Sequence, residues 1–398
     1  MMATVTLVYL GAIYLACLMF VIKSKDFLNP VHLFLLSMVP PYVLFYFVDG
    51  TELHLMTYLL YIITASSFII GYFYIVVISK LMRSSSIKKI NPGVQIQFKK
   101  INSLLNLFLF IGLVGFALAA SKAFEFSQIG PDGPLFNLRY AAIVLGLDIG
   151  YPKYMLIFLQ ISILLMIIIR AHNYKTILFL TSIWAISSMF TMARTDLLLA
   201  LTSVFAAYYL RDRFICGDTT FHLKAFIISG VVFILSFFGI ALATKRMKSD
   251  LWNTFLHYYI SPIVAFDQHV LNFDSYSLGW NTFYPFAKLL SILGCQFEIS
   301  EPYVPPGQPN VFTMMAGPYL DYGAIGLVIV PFFLGLTYAI IYRRVRKGDI
   351  YSIAFYSLFI YPLIMSFFAY QYSLASWLYY IIVLSMVKIW EMLRCSSK

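Results

Sequence analysis

Charge is scarce in this 398-residue chain: Asp, Glu, Lys and Arg make up 11% of it and hydrophobic residues 61%. A soluble domain carries roughly 25% charged residues, so with a mean hydropathy of +0.84 a soluble globular protein is excluded. Long polar stretches are scarce too. The longest run over 79–103 and 244–323, no separate soluble domain fits, and residues 1–398 read as a single integral membrane domain. The four cysteines (Cys17, Cys216, Cys295 and Cys395) share no metal-type spacing, which argues against a disulfide framework and a Cys-ligated metal. P-loop, HExxH and GxSxG motifs are absent, as are CxxC pairs and His clusters.

What is present is a series of apolar windows, each about the length that crosses a bilayer. They predict about eleven helices, near 4–22, 31–48, 55–78, 104–120, 152–169, 176–192, 197–210, 225–243, 324–342, 350–368 and 377–391. The first lacks a basic leader and an A-x-A-like site, so it predicts a retained helix and not a cleaved signal. The pair 176–192 and 197–210 is joined by only four residues, and its second member is short.

Lys and Arg concentrate in alternate loops. Lys23, Lys25, Lys80, Arg83, Lys88, Lys89, Lys99, Lys100, Arg170 and Lys175 lie in one set, continued by Arg211, Arg213, Lys224, Arg343, Arg344, Arg346 and Lys347. Positive charge marks the cytoplasmic side. The N-terminus is therefore expected outside and the C-terminus inside, with 79–103 a basic cytoplasmic loop near anionic lipid and 244–323 a long external one. Most acids fall on the external side, so the net charge of +11 is a topology signal. Nucleic acid drops out as a partner.

Against that acidic external side three arginines stand out. Arg139 lies in GPDGPLFNLRYAAIVLGLDIGYP, Arg194 in the turn MARTD, and Arg246 in ATKRMKSD just after a helix. A cation this near hydrocarbon is costly unless paired or hydrated. Each has a structural alternative: Asp132 or Asp148 for Arg139, Asp196 for Arg194, Asp250 for Arg246. As a group they suit an anion, because a guanidinium grips phosphate through two parallel hydrogen bonds. The long loop adds aromatics, among them Tyr258, Trp280, Tyr319 and Tyr322, which suit sugar rings but also belong to an interfacial belt. His257 and Asp267, both candidate general bases, lie in the segment 251–271, which Pro262 is expected to interrupt and which reads as interfacial or re-entrant. Asp321, in PYLDYG at the mouth of the ninth apolar span, is the leading carboxylate, its alternative being a helix N-cap. The first external loop, DGTELH, lacks the paired acids with which lipid-phosphosugar transferases bind a metal. A metal-free reaction on a lipid-borne diphosphate remains chemically open, with no cofactor expected.

These features resemble the oligosaccharide repeat-unit polymerases of the O-antigen and capsule pathways. The resemblance spans roughly residues 100–342: Arg139 followed eleven residues on by Gly150, like that family's Arg-x10-Gly motif, then MARTDLLLA, the arginine after the eighth span, YYISP, SLGWNTFYPF and NVFTMMAGPYLDYGAIG. One departure is clear, since eleven residues after Arg246 comes His257 and after Arg194 comes Phe205, so a second Arg-x10-Gly is absent. The resemblance implies an all-α, C-type glycosyltransferase-like fold in a bacterial inner membrane, working at the periplasmic face. It implies transfer of a growing glycan from undecaprenyl diphosphate to a new lipid-linked unit, with a chain-length regulator protein as partner. Arg139, Arg194 and Arg246 would stabilise the diphosphate leaving group, with Asp321 or His257 assisting the acceptor hydroxyl and Tyr319, Tyr322, Tyr258 and Trp280 against the sugars. An O-antigen ligase, a lipid-linked oligosaccharide flippase and a non-catalytic assembly protein are the rival readings.

Overall fold

An apolar run that crosses hydrocarbon must satisfy its own backbone polar groups, and a helix does so within the segment. The computed structural model describes residues 2–49, 52–81, 94–130, 133–169, 173–190, 194–218, 231, 250–273, 276–297, 302–305 and 311–396. Among them all regular structure is helical. In chain order the helices are α1 (Met2–Ser24), α2 (Pro30–Leu44), α3 (Leu55–Leu81), α4 (Val94–Ser127), α5 (Pro134–Ile143), α6 (Pro152–Ile169) and α7 (Tyr174–Ser187). They continue with α8 (Arg194–Phe214), α9 (Leu251–Ala265), α10 (Tyr284–Ile292), α11 (Ala316–Val345), α12 (Ile350–Ile364) and α13 (Ser376–Ser396).

Among the described residues 8 helices are long and apolar enough to cross a membrane: α1 to α4, α6 and α11 to α13, with α2 and α12 extended by short π and 3-10 turns. This is an all-helical, multi-pass membrane protein. Of the other three expected spans, 225–243 lies outside the described residues except for Val231. The span at 176–192 is α7, whose 14 residues cover only about 21 Å at 1.5 Å per residue, short of a hydrocarbon core of about 30 Å. The span at 197–210 is α8, lengthened to 21 residues by ends that carry Arg194, Asp196, Arg211 and Arg213. The segment 251–271 is also helical, as α9 followed by a π-helical turn, Phe266–Val270. Pro262 does not interrupt it; the helix runs through the proline.

Local chemistry sets several ends. The Asn29 side chain accepts the Val31 N–H at 3.0 Å, and Pro30 opens α2 where a missing N–H costs nothing. Within α11, Gly323 takes φ 60° and ψ −148°, a conformation open to glycine, and kinks the helix. The expected span starting at residue 324 begins just after that kink, so the turn PYLDY before it is a separately aimed piece of chain.

The chain divides into two compact units. The first comprises Met1–Ile87, Trp252–Arg343 and Pro362–Trp377. Gly71 of α3 and Gly335 of α11 let two backbones approach so closely that a Cβ at either would overlap a carbonyl, of Phe332 or of Phe68. Small residues at a crossing are how helices gain packing inside a membrane, where lipid is as apolar as leucine. Two hydrogen bonds between buried side chains tie segments of this unit together: Tyr342 donates its hydroxyl to Asp26, and Asn29 donates to the Tyr72 hydroxyl at 3.2 Å. The second unit comprises Lys88–Leu251, Arg344–Tyr361 and Leu378–Lys398. Its centre is α6, buried from Leu156 to Ile169 almost without a break. Gly112 and Gly115 of α4 sit against it, where an added Cβ would fall 2.5 Å from Cβ of Leu159 or Met155. Arg211 is buried and donates to the Ile167 carbonyl at 3.1 Å, satisfying an end of α6 that the helix itself cannot.

Candidate functional site

In the first unit the polar chemistry gathers around two buried carboxylates. Asp321, on the turn before the Gly323 kink, is 1% exposed. One of its oxygens accepts the Asn281 backbone N–H at 3.0 Å and the Asn281 side-chain amide at 3.1 Å; the other accepts the Thr282 N–H at 2.5 Å. Asn281 also donates to the Ser277 hydroxyl at 2.8 Å, and the Ser277 N–H to the Leu320 carbonyl at 3.1 Å. The carboxylate thus draws together the backbone of the loop SLGWNTF, 40 residues upstream. It is not the N-cap of α11, which starts at Ala316; its bonds go across to another segment. Gly279 makes the loop possible: its φ is 101°, and a Cβ there would overlap the Tyr322 hydroxyl.

Asp267 is the second carboxylate, 3% exposed, on the π turn after α9. It accepts the His54 N–H at 3.0 Å, the His54 Nδ1–H at 2.9 Å and the Thr57 hydroxyl. An anion at the first turn of α3 is favoured because that end has orphan N–H groups and a partial positive charge. Tyr319 joins the two stations. Its hydroxyl donates to the Leu271 carbonyl at 2.9 Å, and its ring packs edge-on to Phe266 at 5.6 Å.

The structure therefore brings Asp321, Tyr319, Tyr322 and Trp280 into one cluster. Tyr322 is 37% exposed, and Trp280, half-buried, packs 5.3 Å from Phe297. Beside Asn281 lies a cavity of about 230 Å³, walled by Phe312, Gly317, Leu320 and Tyr370 among others. It offers amide, hydroxyl and aromatic groups, the mixture that suits a sugar. Tyr258 is half-buried on α9. The backbone of His257 belongs to α9, but its side chain is outside what the structure describes.

In the second unit Arg139 is half-buried on α5. The chain then turns through two left-handed glycines, Gly146 with φ 64° and Gly150 with φ 75°, before entering α6. Asp148, one structural partner considered for Arg139, pairs with Lys153 at 2.5 Å. The hydrogen bond from Lys153 holds the Asp148 carboxyl below the usual carboxylate range. A second cavity of about 230 Å³ lies here, between Phe126, Ala142, Leu147, Asp148 and Phe190. Arg194 is the first residue of α8, with its side chain outside the described set, and Arg246 lies wholly outside it.

Two participants escaped the sequence reading. His54 and Thr57 stand 213 and 210 residues from Asp267, and no periodicity couples them. The only sequence cue was a histidine at the end of DGTELH, a loop expected to be external. Among the described residues no group of three or more His, Cys, Asp or Glu is placed to hold a metal. No family model matches this chain, and no curated protein or solved structure matches it.

Proposed function

We propose that this membrane protein polymerises lipid-linked oligosaccharides. It would transfer a growing glycan from a polyprenyl diphosphate, undecaprenyl diphosphate in the bacterial case, to the free end of a new lipid-linked unit at the periplasmic face. The observation that carries the reading is the corner at Gly150. Eleven residues after the half-buried Arg139 the backbone takes a φ of 75°, which a side chain would resist. The spacing of the Arg-x10-Gly motif thus corresponds to one structural piece: a short helix carrying the arginine, two glycine turns, and re-entry into α6.

The chemistry follows from the leaving group. As the glycosidic bond breaks, the diphosphate gains negative charge, and donors fixed around it stabilise the transition state more than the ground state. Arg139 and Arg194 take that role, with Arg246 after them. Asp321, with both oxygens already engaged, shapes the aromatic loop in this reading, and Trp280, Tyr319 and Tyr322 present faces for the glycan.

The test separates phosphate binding from generic charge. A lysine is a point donor on a flexible stem and cannot replace a bidentate guanidinium. Arg139→Lys and Arg194→Lys, in a strain lacking the chromosomal copy, should lose most of the polysaccharide ladder while the protein accumulates normally. A contact of about 2–4 kcal/mol that strengthens in the transition state corresponds to roughly 30- to 1000-fold in rate. Lys122→Ala and Lys288→Ala should leave the ladder intact. Normal ladders from both arginine variants would overturn this assignment. Loss of all capping, with no single-unit product, would point instead to a ligase or flippase.

A further inference from the structure

The Asp267 station has the construction of a supported general base. Its carboxylate is buried, with its side chain 5% exposed, while the His54 ring bonded to it is 60% exposed. Asp267 takes three donors, two of them backbone N–H and hydroxyl groups of the α3 first turn, so it is held in place without the imidazole. An ionised carboxylate only accepts, so His54 donates to it through Nδ1, which in the neutral imidazole leaves the lone pair on Nε2. A fixed carboxylate behind one ring nitrogen of an exposed imidazole is the arrangement that orients a histidine to take a proton and stabilises the imidazolium that results. The alternative is that Asp267 merely caps α3. Capping accounts for the His54 N–H and Thr57 bonds, but it has no use for the bond to Nδ1.

Resting on the polymerase reading, we infer that His54 is the general base that activates the acceptor sugar hydroxyl, with Asp267 as its positioning residue. Nε2 takes the hydroxyl proton as that oxygen bonds to the anomeric carbon of the donor glycan. The bond from that carbon to the diphosphate oxygen breaks, and its electron pair leaves on the polyprenyl diphosphate. The imidazolium, paired with Asp267, then returns its proton to water.

The experiment uses the full chain, purified and reconstituted with lipid-linked repeat units. General-base catalysis is worth about 10²- to 10⁴-fold, so His54→Ala should lose that much in single-turnover rate and keep the wild-type melting temperature. Added imidazole should restore part of the rate. His54→Asn, which keeps a donor toward Asp267 but has no base, should be equally slow. Asp267→Asn should slow the wild type but not slow His54→Ala further, because a residue acting through another shows no separate effect once that other is gone. If His54→Ala elongates at the wild-type rate, or imidazole does not answer its loss, the inference is overturned and the polymerase reading stands. If the wild type itself does not elongate, that reading falls and this one with it.

Discussion

Replacing Asp321 tests whether that carboxylate tethers the aromatic loop. In Asp321→Asn one oxygen becomes an NH₂ group facing either the Thr282 N–H, now 2.5 Å from the carboxylate, or the two Asn281 donors at 3.0 and 3.1 Å. At least one charge-assisted bond is lost and two donors are set against each other in a site 1% exposed. A hydrogen bond to a charged group is worth about 1.5–3 kcal/mol and an orphaned buried donor costs about 1–3, so the variant should lose about 2–4 kcal/mol. Asp321→Ala, which orphans all three donors, should lose about 3–5 kcal/mol. Thermal unfolding of purified protein in detergent, followed by tryptophan fluorescence, reads the loss. Trp280, one residue before the tethered Asn281, should also become more accessible to a soluble quencher. Wild-type melting of both variants would refute the tether. An inactive Asp321→Asn protein with wild-type melting would make Asp321 a catalytic group instead.

Three further outcomes follow from the same geometry. Gly335→Ala puts a methyl into the Phe68 carbonyl and 2.9 Å from the Tyr72 nitrogen; such overpacking costs about 1–3 kcal/mol and should lower the melting temperature. The Asp148 carboxyl titrates below its ordinary 3.8 because Lys153 bonds to it. The stability this contributes is complete above the ordinary value and lost as pH falls through the lowered one. The pair is exposed, so Lys153→Met should cost under about 1 kcal/mol at neutral pH, and nothing below both values, by melting scans across pH. A reporter active only outside the cytoplasm should be active when fused after Ser275 and silent after Ile90; the reverse would remove Arg139 and Arg194 from the periplasmic face together.

The membrane class of the fold was legible from hydropathy, because apolar runs of bilayer length have few other solutions. The start of the ninth span at residue 324 came within one residue of the Gly323 kink. The end of α7 did not show, since 176–192 stays apolar beyond Ser187, where the helix stops. Helices within the long polar stretch 244–323 were illegible for a different reason. The sequence of α9 mixes Trp252, Asn253, His257 and Pro262 with apolar residues, and its helix is stabilised by packing that no window reports, such as Tyr259 on Phe367 at 4.8 Å. The candidate site divides the same way. Asp321 and its neighbouring tyrosines stood out as polar groups at the mouth of a span. That Asp321 would bind Asn281 and Thr282, or Asp267 bind His54, depends on contacts between segments tens to hundreds of residues apart.

Whether this chain alone lengthens a lipid-linked glycan is decided by reconstitution. Purified protein in lipid vesicles is given undecaprenyl-diphosphate-linked repeat units in excess EDTA, and the products are sized on a gel. A ladder spaced by one repeat, abolished in Arg139→Lys, is the predicted result. Vesicles that leave every unit at its starting length, with or without added Mg²⁺, would contradict it.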